Sequence, residues 1–66
     1  MKQGKRYAVY GWSKENPRKV LNVWVDQITL DHVIGHVRDT HGIVTTCTWS
    51  REMANSWRWL EMKEGD

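Results

Sequence analysis

A mostly β, antiparallel domain is the fold class this sequence predicts, and three observations predict it. Apolar residues alternate with period two in two separate stretches. Asp39-Thr40-His41-Gly42 carries a turn signature between two further β-prone runs. Trp57 and Trp59 stand two apart, a spacing that suits a pleated surface better than a helix.

The first run, Tyr7 to Trp12, directs Tyr7 and Val9 to one side and Ala8, Tyr10 and Trp12 to the other. A polar loop follows from Ser13 to Arg18, holding the only proline, Pro17. The second run, Val20 to Leu30, sets Leu21, Val23 and Val25 on one face and Asn22, Trp24 and Asp26 on the opposite one. At the turn, Asp39 in the first position and Gly42 in the fourth suit a type I turn with a left-handed glycine bulge. Counting outward pairs Val37 with Thr45, Gly35 with Cys47 and Val33 with Trp49. Both strands then agree on an apolar face of Val33, Val37, Ile43, Cys47 and Trp49, with His32, His36, Arg38, Thr46 and Thr48 opposite; a one-residue slip would destroy that agreement.

The tail has two readings. As a strand it sends Trp57 and Trp59 one way and Arg58, Leu60 and Met62 the other, with residues 50 to 56 as a connecting turn. As a helix it is capped by Ser50 and carries a Met53, Trp57, Leu60 stripe. The strand reading is preferred and closes residues 1–66 into a small five-stranded antiparallel SH3-like barrel. The helix reading gives a four-stranded antiparallel sheet with a C-terminal helix.

A chain of 66 residues makes one small domain with a modest core, yet it holds five tryptophans, at 12, 24, 49, 57 and 59. Without phenylalanine, indoles must supply much of the core volume, but so small a fold cannot enclose all of them. The single cysteine, Cys47, excludes an internal disulfide. No stretch approaches the ~18 apolar residues of a membrane span, and the opening Met1-Lys2-Gln3-Gly4-Lys5-Arg6 lacks the apolar run of a leader, so the expected location is cytoplasmic. Ten Lys and Arg against eight Asp and Glu give a net charge of +2, mildly basic. Lys2, Lys5, Arg6, Lys14, Arg18 and Lys19 crowd the first third, while Glu61, Glu64 and Asp66 make the far end acidic.

Catalytic and metal chemistry find little support in the pattern. His32 and His36 would share a metal on a helix, but on a strand four residues place them about 13 Å apart, and Cys47 faces the other way. Cys47, directed inward, reads as a small core residue. Asp26, Asp31 and Asp39 fall near strand ends and turns, where aspartate ordinarily serves the backbone. The chain reads as a binding module that is not an enzyme and needs no cofactor.

Two ligand classes compete for it. For nucleic acid, Tyr10, Trp12 and Trp24 would stack while Lys14, Arg18, Lys19, His36 and Arg38 neutralise phosphates. For a protein partner, the chain would act as an adaptor or inhibitor of a larger protein, anchored by Trp57, Arg58 and Trp59, or would pair with a second copy of itself through an unpaired strand edge. Nucleic acid is preferred, on the basic first third and the aromatic and cationic residues of neighbouring strands.

Overall fold

A computed structural model describes residues 1–63, which build a five-stranded antiparallel sheet in the order β4-β3-β2-β1-β5. The strands are β1 (Arg6–Tyr10), β2 (Leu21–Ile28), β3 (His32–Arg38), β4 (Val44–Ser50) and β5 (Arg58–Met62), and a one-turn helix α1 (Arg51–Asn55) links the last two. Glu64 and Asp66, read above as part of the acidic end, lie outside the described residues.

The β3–β4 hairpin has the register counted from its turn, with Val33 against Trp49, Gly35 against Cys47 and Val37 against Thr45. Gly42 takes φ 83°, its N–H donates to the Asp39 carbonyl at 3.1 Å, and Asp39 Oδ1 accepts from the N–H of both His41 and Ile43. The carboxylate thus holds two donors that the tight turn leaves without partners. Asp39→Ala should lower stability by about 1 kcal/mol, read as a fall in the urea midpoint, with the register kept by the remaining alternation.

Inner faces supply the core. Tyr7, Val9, Val23, Val25, Val33 and Ala54 are buried, and Leu21, Ile28, Val37, Trp12, Trp49, Trp57 and Trp59 pack around them. A register shift between Val25 and Gln27 inserts Asp26 as a bulge, and this returns Ile28 to the inner face beside Val33. Ile43 does not join the apolar face as its alternation predicts. It is 62% exposed, because it sits in the turn beyond the end of β4, where no core reaches it.

Residues 50–62 contain both structures that the tail suggested, in series. Ser50 caps α1, its hydroxyl accepting from the Met53 N–H at 3.1 Å, and Glu52 sits in the first turn. The helix stops at Asn55, so no Met53, Trp57, Leu60 stripe forms: Met53 is exposed and Ala54 is the residue that plugs the core. β5 then pairs with β1, from Arg6 against Met62 to Tyr10 against Arg58.

β4 and β5 share no ladder, so the sheet is not closed by backbone pairing. Across a flat sheet these two edge strands would stand roughly 19 Å apart. The Trp49 ring nevertheless meets Trp57 and Trp59 edge to face, at 5.6 and 6.5 Å between centroids. Such contacts require a strong curl, and indole fills the opening between the edges.

Candidate nucleic-acid interface

None of the five tryptophans is fully enclosed and none is fully exposed. Four of them, Trp12, Trp49, Trp57 and Trp59, pack against the core. Only Trp24 stands on the outer face of the sheet, at the centre of the middle strand.

Register explains what surrounds it. Trp24 lies opposite Arg6 on β1 and opposite His36 on β3, so one cross-strand row carries a guanidinium, an indole and an imidazole. The His36 ring stacks on Trp24 at 5.3 Å with 5° between planes. Arg6 and Arg38 bring their guanidinium carbons to 5.5 and 5.9 Å from the indole centroid. Asp26, displaced by the bulge, reaches His36 Nδ1 at 2.8 Å; a carboxylate can only accept, so Nδ1 carries the hydrogen. Asp26 was expected to serve the backbone and instead orients the imidazole over the indole.

A second cluster gathers where β1 pairs with β5. Tyr10, Arg58 and Leu60 of the outer face, with Pro17 and Arg18 from the 11–20 loop, line a groove of about 370 Å³. The groove thus combines two guanidiniums, a phenol ring and two apolar side chains, and no carboxylate pairs with either guanidinium among the described residues. Tyr10 stands four residue steps from Arg6 along β1, so the two clusters lie about 13 Å apart on the same face.

The residues predicted from sequence therefore divide. Trp24, His36 and Arg38 come together, and Tyr10 joins Arg18. Trp12 does not stay on the outer side: β1 ends at Tyr10, Gly11 at φ 86° turns the chain, and the indole packs on the core with Lys19 Nζ 5.3 Å from its centroid. Its Nε1 is shut from solvent without a hydrogen-bond partner among the described residues. Lys14 stands exposed in the loop. Of the alternative anchors, Trp57 and Trp59 lie on the core side, with Trp59 Nε1 donating to the Ala54 carbonyl at 2.7 Å, while Arg58 faces outward in the Tyr10 groove.

Arg6 was missed as a member of the Trp24 cluster. Its position there depends on the β1–β2 register, which no turn signature in the long 11–20 connection announces. Among the described residues no helix is long and apolar enough to cross a membrane. Comparison of this chain with protein-family models, curated proteins and solved structures gives no match.

Proposed function

We propose that this protein is a non-enzymatic nucleic-acid-binding module that uses the outer face of its sheet. The observation that carries the reading is the row Arg6, Trp24, His36 with Arg38 beside it, cations and a planar aromatic group held together on the middle strands. Phosphates are neutralised by the guanidiniums, and a base stacks on the imidazole–indole pair or on Tyr10. The Tyr10, Arg18 and Arg58 groove extends the same chemistry along the face. As part of this proposal the fold acts as an SH3-like barrel whose two edges are joined by indole packing rather than by a ladder.

Titration of oligonucleotides, single- and double-stranded, against intrinsic tryptophan fluorescence tests the reading. Binding should weaken steeply with added salt, and Arg6→Ala combined with Arg38→Ala should reduce the slope of log affinity against log salt by about 2. Failure to bind either form at low salt would remove the proposal. Trp24→Ala should impair binding while lowering stability by only about 1 kcal/mol, whereas Trp49→Ala should lower it by about 3 kcal/mol. The reverse ranking in chemical denaturation would mean that Trp24 is a structural residue.

The adaptor or inhibitor reading has less support, since two of its three anchors, Trp57 and Trp59, pack on the core.

A further inference from the structure

The outer side of β4 pairs with no strand among the described residues. Native sheets guard such an edge with charge, proline or a bulge, because unpaired N–H and C=O groups invite another strand. Each of the other four strands carries a charged side chain: Arg6, Asp26, Arg38, and Arg58 with Glu61. β4, Val-Thr-Thr-Cys-Thr-Trp-Ser, carries neither charge nor proline, and it pairs with β3 without a register shift.

The hairpin fixes which groups point outward. The Asp39 N–H donates to the Ile43 carbonyl at 3.0 Å, so the ladder to β3 uses the backbone of Ile43, Thr45, Cys47 and Trp49. The N–H and C=O groups of Val44, Thr46 and Thr48 are left facing away from the sheet.

We propose that β4 pairs antiparallel with β4 of a second copy, about a twofold axis at Thr46. In this register Val44 lies opposite the partner's Thr48 and Thr46 opposite the partner's Thr46, so all the outward backbone groups of the three residues find partners. Placing the axis at Cys47 would set Val44 against the partner's Ser50, where the chain turns into α1. Placing it at Thr45 would set Thr48 against the partner's Gly42, inside the turn. Only the Thr46 axis pairs Val44, Thr46 and Thr48 with one another while leaving Ser50 to cap α1 and setting Ile43 against the partner's Trp49.

Side chains agree with that choice. Ile43, 62% exposed in a single subunit, lies beside the half-buried ring of the partner's Trp49, a β-branched and aromatic pairing of the kind that stabilises sheets. No like charges are opposed anywhere along the contact, which is what a self-complementary twofold interface requires. The outer faces of the two subunits become continuous, with both Trp24 clusters on the same side. The proposal stands on the edge and the turn alone and does not depend on nucleic-acid binding.

Sedimentation of the full chain over a concentration series, without nucleic acid, tests it. The mass should rise to twice that of the monomer. Thr46→Lys opposes two ammonium groups at the axis and should hold the protein monomeric with an unchanged far-ultraviolet spectrum, its melting no longer dependent on protein concentration. In a Cys47→Ser background, Thr46→Cys should form a disulfide-linked dimer on oxidation, because directly opposed hydrogen-bonded residues sit about 5.5 Å apart, within bridging distance. A wild-type chain that stays monomeric up to its solubility limit overturns the proposal. So does a dimer that Thr46→Lys leaves intact, or a dimer that the introduced cysteine fails to link.

Discussion

Replacing Trp59 by alanine should leave a large fraction of the chain unfolded at room temperature. The indole meets Tyr7 edge to face at 5.7 Å, stacks with Trp57 at 6.1 Å and touches Trp49 at 6.5 Å, so it joins three aromatic rings at the opening between the sheet edges. Its Nε1 also satisfies the Ala54 carbonyl at the end of the short helix. Truncating a tryptophan costs about 3–5 kcal/mol, and the low end applies to a ring that keeps some exposure. A core of this size supplies only about 3–5 kcal/mol in total, so the loss is comparable with the whole stability. Trp59→Phe, which keeps a ring but loses the donor, should recover part of it. Circular dichroism melting of the three proteins checks the order; an alanine variant that melted like the wild type would mean the aromatic cluster contributes nothing to closure.

Gly35→Ala should also be damaging, although exchanging glycine for alanine usually strengthens a strand. A Cβ at this position would stand 2.7 Å from the Trp24 carbonyl oxygen and 3.0 Å from Val23 Cγ1. The first of these atoms belongs to backbone, so β2 and β3 would have to separate. Overpacking of this kind costs about 1–3 kcal/mol, which in so short a domain lowers the melting temperature by several degrees. Because the obstructed carbonyl belongs to Trp24, oligonucleotide binding should weaken together with stability. Unchanged binding in a destabilised variant would separate the two effects and detach the strand contact from the outer cluster.

The parts of this fold that were legible in the sequence are those where local chemistry and alternation agree. Asp39 and Gly42 define the turn, and from it the register of β3 and β4 follows, together with the shared outward face of His36 and Arg38. Trp24 could be placed outward because its face neighbours, Asn22 and Asp26, are polar. Trp12 could not be placed, because alternation says nothing after a glycine with positive φ bends the chain. The helix α1 escapes periodicity altogether: five residues are too few to show a repeat, and its only sequence mark is the Ser50 cap. The bulge at Asp26 left no signal stronger than an aspartate inside an apolar run. Gly35 did leave one, since a glycine in the middle of a strand marks close backbone approach, but the atom it approaches lies on another strand.

Strand β1 sits between β2 and β5, so Arg6 is joined to Met62 while the edge strand β4 forms a ladder with neither β1 nor β5. Nearly the entire polypeptide must be looped before this ladder can form, and the entropy of that closure is spent before any contact compensates for it. Refolding should therefore be slow for a molecule of this size, in milliseconds to seconds rather than microseconds. Until the last strand docks, the indoles of Trp57 and Trp59 have no pocket, and the nascent β2–β3–β4 meander stays open to aggregation on two sides.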